Sequence, residues 1–242
     1  MRKSLREARK GLARVHQEKH SASGALFKEF ILGGQDGLVN VLGIILGLAA
    51  ATANAKLVII AGLAAAFAES FSMAAVAFTS AKAEADYFAS ERRRELFEIE
   101  NFPDTEKKEV QAIYHRKGFR GKLLEDIVEH IVGDRTTWLN IMMHEELGLS
   151  DEFVSPTKTA MIVGLATMFG SIIPLTPFFL LGVKTAVIFS LVVSAIALFV
   201  TGAIEGKLTV GHWAKKGLQL AVIGMVAALI GFLVGKALGV SS

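Results

Sequence analysis

The chain contains no cysteine, so disulfide bridges and thiolate metal ligands are excluded and the redox compartment leaves no mark. Prolines number four in 242 residues, which leaves long stretches free of helix breakers. Charged residues make up 20%, fewer than most soluble domains of this size carry. Several enzyme signatures are missing as well. His144 and Glu145 begin a zinc-protease HExxH, but Gly148 stands where the second His belongs. A di-iron bundle needs Glu three residues before His, and Ala112, Ile127 and Ile141 hold those places ahead of His115, His130 and His144. No Gly-rich phosphate loop or nucleophile elbow is present. No apolar core follows Met1 closely, so no signal peptide is expected.

What the chain has is apolar length. Hydrophobic residues make up 52% and mean hydropathy is +0.47. A membrane span needs about 20 mostly apolar residues. Five segments qualify: residues 38–55 (extended back by GGQDG at 33–37), 57–81, 159–181, 186–203 and 218–238. Pro174 and Pro177 are expected to interrupt the third. Residues 54–56 and 182–184 are short enough to make tight antiparallel hairpins. Glycines four apart, at Gly33/Gly37, Gly43/Gly47, Gly202/Gly206 and Gly231/Gly235/Gly239, mark faces where backbones can approach closely. The expected fold is an all-α membrane protein with five spans and a three-helix cytoplasmic insert between spans two and three. The boundaries are 1–30 for a basic amphipathic helix, 31–90 for spans one and two, 91–150 for the insert and 151–242 for spans three to five.

Charge sets the orientation. Residues 1–35 carry eight Lys/Arg against three Glu, and residues 91–150 carry thirteen Asp/Glu against ten Lys/Arg. Lys207, Lys215 and Lys216 sit between spans four and five, whereas the two hairpins hold only Lys56 and Lys184. Positive loops stay inside, so the amino terminus and the insert are expected in the cytoplasm and the carboxyl terminus outside, in a multi-pass protein of the cell membrane. The basic arm suits an anionic bilayer face rather than nucleic acid.

The insert reads as helices. Residues 82–101 lack Pro and Gly, so span two is expected to continue as a stalk until Phe102 and Pro103 end it. Asp104 is placed to cap the next helix, which closes near Lys117 and Gly118. A third helix is expected over residues 121–148, with Gly133 as a weak point. Glu95 and Glu98 stand three apart, as do Glu106 and Glu109, while Met142 and Glu146 share a face. An antiparallel return would gather them. Carboxylates with thioethers suit Fe²⁺, Mn²⁺, Co²⁺, Ni²⁺ or Zn²⁺ over Mg²⁺ and Ca²⁺. The plain alternative is a solvated acidic face paired with Arg92–Arg94, with Met142 and Met143 as core.

Carboxylates also fall in the spans. Asp36 opens span one and Glu69 lies inside span two, with Met73 one turn on. At mid-bilayer an ionised carboxylate costs about 2.5–3.5 kcal/mol on insertion scales, so such groups face a bundle interior or a water path. They can exchange a cation for a proton, or serve only as an interhelical hydrogen bond. Asn40, Asn54, Ser70 and Ser72 are possible oxygen ligands.

Five ordered motifs carry a resemblance: DGLVNVLGIILGL (36–48), SMAAVAFTS (72–80), FPDTEKKEVQAIYHRKGF (102–119), MMHEELGL (142–149) and GSIIPLTPFFLLG (170–182). Together they resemble the vacuolar iron transporter family, in a prokaryotic or archaeal-type member, over residues 30–240. The resemblance implies a homodimer that exports Fe²⁺, and Mn²⁺, from the cytoplasm in exchange for protons, with no enzyme activity and no cofactor besides transported and regulatory metal. It implies insert ligands at Glu95, Glu98, Glu106, Glu109, Met142, Met143 and Glu146, and pathway residues at Asp36 and Met73. One departure stands out. The family's pathway Glu, eight residues before that Met, falls here on Ala65, and a further Glu common among members falls on Ala77. Glu69, one turn from Ala65, is read as the substitute. Two rivals are a membrane-anchored metal sensor or store and, less compatible with the missing ExxH pairs, a membrane oxidase.

Overall fold

The computed structural model describes residues 22–150, 154–208 and 211–239, and these are helical with no strand among them. The chain divides into two compact units, Met1–Phe78 with Thr157–Ser242, and Thr79–Pro156. Helix α1 covers Ala22–Thr52 and α2 covers Ala55–Asn101. Then come α3 (Pro103–Arg116), α4 (Gly121–Val132), α5 (Arg135–Ile141) and a π-turn at Met142–Glu146. The last three helices are α6 (Pro156–Leu180), α7 (Val183–Leu208) and α8 (Trp213–Leu238).

Five of these helices, α1, α2, α6, α7 and α8, are long and apolar enough to cross a bilayer. The expected count therefore holds. Residues 22–30 belong to α1, and the remainder of the expected amino-terminal surface helix lies outside the described residues. Helix α2 is a single element of 47 residues, so the second span does run on without a break.

Pro174 and Pro177 do not interrupt the third span. Both sit inside α6, where the Ser190 hydroxyl of α7 donates to the Pro174 carbonyl at 2.7 Å. That bond ties α6 to α7. The carbonyls that the two prolines leave without a helical donor are those four residues back, at Gly170 and Ile173. A span tolerates this where it is packed within protein, as α6 is around Gly170, Pro174 and Pro177.

The membrane unit is sewn together by glycine. A Cβ on Gly47 of α1 would stand 2.8 Å from the Gly231 carbonyl oxygen of α8, and one on Gly37 would overlap the Thr167 carbonyl of α6. These seams hold α1 by backbone contact, as small residues do in lipid where hydrophobic association is weak. Val41, Leu42, Ile45, Leu46, Val58, Leu175 and Phe178 fill the core beside them. The outer surface is apolar too, with Phe67, Phe71, Ile188, Ile196, Leu229 and Leu233 exposed. An apolar skin over an apolar core fits a lipid surround.

The second unit has its own core of Ile99, Val110, Leu124, Val128, Ile131, Trp138, Leu139, Met142 and Met143. Two local expectations are corrected. Pro103, not a capped Asp104, opens α3: it occupies the first helical turn behind Phe102, with Asp104 and Glu106 following it. Proline's fixed φ and missing N–H suit that position. The single third helix is instead broken at Gly133. Asp134 starts α5 anew, accepting hydrogen bonds from the Thr137 backbone at 3.0 Å and its hydroxyl at 2.6 Å.

Candidate metal centres

The chain turn at Phe102 folds α3 back along the end of α2. That return brings the spaced carboxylates together. Carboxylate oxygens of Glu95, Glu98 and Glu106 lie within 4.8 Å of one another, and so do those of Glu106, Glu109 and Glu146. Glu106 belongs to both groups. Spacing along one helix foretold each pair, but not that a single side chain would join them.

Glu146 reaches this cluster from the π-turn. There the Leu147 N–H donates five residues back to the Met142 carbonyl at 3.1 Å. The wider turn rotates Glu146 relative to an α-helical register, a device frequent at functional sites. Met142 and Met143 are fully buried in the apolar core beside Trp138.

Burial decides against a merely solvated face. Glu95 is 3% exposed and Glu106 is 4% exposed. Each keeps one buried carboxylate oxygen without a hydrogen-bond partner. The exposed Arg94 pairs instead with the half-buried Glu98 at 3.2 Å and Glu91 at 3.8 Å. Lys117 pairs with Glu145, outside the cluster, at 2.5 Å. Burial first, and then the charges of Glu146, Glu98 and Glu109, push the Glu95 carboxyl up to about 7. Burial, followed by Glu109 and Glu95, does the same to Glu106. Glu146 is also raised, by burial and then by Glu109 and Glu98. Buried carboxylates crowded together resist ionising; Arg94 near Glu95 and Arg116 near Glu146 offset only part of this, and a divalent ion would relieve the rest.

The membrane unit holds a second polar group. Asn40 Nδ2 donates to Asp36 Oδ1 at 3.2 Å and also to Glu69 Oε1. Glu69 Oε2 is buried with no partner. Met73 is half-buried one turn further along α2. Ala65 packs against the apolar core, so the two α2 positions differ in surroundings. Of the other candidate ligands, Asn54 caps α2 by accepting from Lys56 and Leu57 N–H groups at 3.0 and 3.2 Å. Ser70 donates to the Ala66 carbonyl at 2.6 Å. What the sequence concealed was that Asn40 meets the carboxylates through its N–H groups.

Residues 27–236 match the VIT family model. The chain is 32% identical to vacuolar iron transporter 1 of Tulipa gesneriana over 228 residues, covering 93% of this chain and 92% of the relative. It is 33% identical to vacuolar iron transporter 1 of Eucalyptus grandis, covering 96% and 94%. For vacuolar iron transporter 1 of Arabidopsis thaliana the identity is 32%, with coverage of 96% and 94%. These relatives are transporters, not enzymes. By the extent of both matches, the chain belongs to the VIT family.

Proposed function

We propose that this protein exports Fe²⁺, and Mn²⁺ with it, from the cytoplasm by exchange for protons. The observation that carries the proposal is the cluster around Glu106: five carboxylates, two of them buried, with Glu95 and Glu106 in none of the described ion pairs. Such a cluster holds divalent metal and gives up protons as it does so. Glu95, Glu98, Glu106, Glu109 and Glu146 collect the ion, while Met142 and Met143 on the same turn as Glu146 pack into the apolar core. Asp36, Glu69 and Met73 then take it through the membrane unit. The names of the relatives, vacuolar iron transporters, favour iron as cargo.

A second copy of the chain completes the pathway in this reading. Asn40, which bonds both carboxylates, is exposed on α1. A carboxylate pair on that face would be costly against lipid, and a homodimer would cover it. The amino terminus and the insert lie in the cytoplasm of a cell-membrane protein, with the carboxyl terminus outside.

A membrane-anchored metal sensor or store would share the acidic cluster. The Asp36–Asn40–Glu69 group inside the spans favours transport, because binding alone needs no carboxylates there. Proteoliposomes holding a pH-sensitive dye, challenged with Fe²⁺, Mn²⁺, Co²⁺ and Zn²⁺, separate the readings. Metal flux with opposite proton movement supports antiport. Binding without flux leaves the sensor.

A further inference from the structure

Asp36 and Glu69 stand within reach of each other, and one further side chain, Asn40, bonds to both; its chemistry fixes which way it faces. Ionised carboxylates only accept hydrogen bonds, whereas a carboxamide nitrogen carries two N–H donors. Asn40 uses that nitrogen toward Asp36 on its own helix and toward Glu69 on α2. The polarised N–H pair therefore occupies the place between two acceptors where a cation would sit.

The fold does not need this contact. Helix α1 is already fixed by backbone approach at Gly37 and Gly47 and by the fully buried Leu42 and Ile45. Asn40 itself is exposed. A polar side chain on a span, outside the packing, is costly unless it has a function.

We infer that the Asn40 carboxamide is the stand-in for the transported cation: it bridges Asp36 and Glu69 while the site is empty, yields to a divalent ion, and closes again as the ion leaves. The inference rests on Asp36 and Glu69 being the transport carboxylates. Asn40 is thus a positioning residue whose N–H groups compete with the cargo. That competition weakens cation binding and hastens release. Without it, two facing carboxylates would hold the ion more tightly and empty more slowly.

The test is Mn²⁺ flux into proteoliposomes bearing the full-length protein, with initial rates taken over a range of Mn²⁺ at one pH. Asn40→Leu and the isosteric Asn40→Asp both remove the N–H donors. Each is expected to lower kcat about tenfold and to lower KM as well, the loss being that of charge-assisted hydrogen bonds on the release step. Asn40→Gln keeps the carboxamide and is expected to stay within about threefold of wild type in kcat. An unchanged kcat in both donor-free variants would overturn the inference. So would a raised KM at constant kcat, which marks a plain ligand. If Asn40→Leu does not yield monodisperse protein, the Asp and Gln variants decide alone. Glu69→Gln is run in parallel. Wild-type flux in that variant removes the carboxylate reading itself, whereas an inactive Glu69→Gln beside a normal Asn40→Asp removes only the role of Asn40.

Discussion

A carboxylate oxygen of Glu106 lies within 4.8 Å of one from Glu95, although the two side chains come from different helices and both are buried. Nothing positive among the described ion pairs stands between them. The relationship makes the metal-free second unit sensitive to pH.

Both carboxyls are raised from 4.5 to about 7. Between those values the folded state holds protons that the unfolded chain releases, so stability falls as pH rises through that window and levels off above it. With metal chelated, the second unit should unfold at a higher temperature at pH 5.5 than at pH 8. Trp138 fluorescence reads this directly in a Trp213→Phe chain, since the protein has two Trp residues. A midpoint indifferent to pH would contradict the assignment.

Metal should reverse the trend. Binding displaces the protons on Glu95 and Glu106 and must therefore release them. Affinity for Mn²⁺ should fall as pH drops below about 7. Calorimetry in two buffers of different ionisation enthalpy measures the proton release, and its absence would remove these two residues from the ligand set.

Glu106→Gln removes the member common to both groups of three. Loss of one charged ligand, worth about 1.5–3 kcal/mol, should weaken divalent binding about tenfold or more. Glu125→Gln, exposed on α4, is the control and should change nothing. Equal binding by both variants in calorimetry of the full-length protein would place the metal elsewhere.

The position of the membrane carboxylate matters as much as its presence. Moving it one turn, by combining Ala65→Glu with Glu69→Ala, places it toward the apolar core and away from Asn40. Flux should fall about tenfold or more, as charge-assisted contacts of about 1.5–3 kcal/mol are lost. Full flux in the moved variant would show that either position serves.

Packing can be tested without chemistry. A side chain at Gly37 meets the Thr167 carbonyl, whereas nothing lies within 4 Å of a Cβ at Gly182. Gly37→Val should cost about 1–3 kcal/mol or prevent folding. Gly182→Ala should stay within about 0.5 kcal/mol of wild type. Thermal aggregation in detergent compares the two.

Much of this architecture was written in local pattern. Apolar runs of span length set the five membrane helices, because a bilayer demands about 20 such residues whatever their neighbours. The unbroken stretch after residue 81 announced the long α2, and three-residue spacing put Glu95 with Glu98 and Glu106 with Glu109. Only tertiary structure decided the rest. Pro174 and Pro177 looked like a break, yet the helix runs through both, with each of them buried against its neighbours. Glycine spacing marked adhesive faces but not that Gly47 meets Gly231. Glu106 became the common member, and Asn40 a donor to Glu69 on another helix, through contacts between distant segments. The physical reason is the range of each force. Hydropathy and helical periodicity act between near neighbours in sequence, whereas desolvation, charge crowding and hydrogen-bond partnership depend on what the folded chain brings alongside.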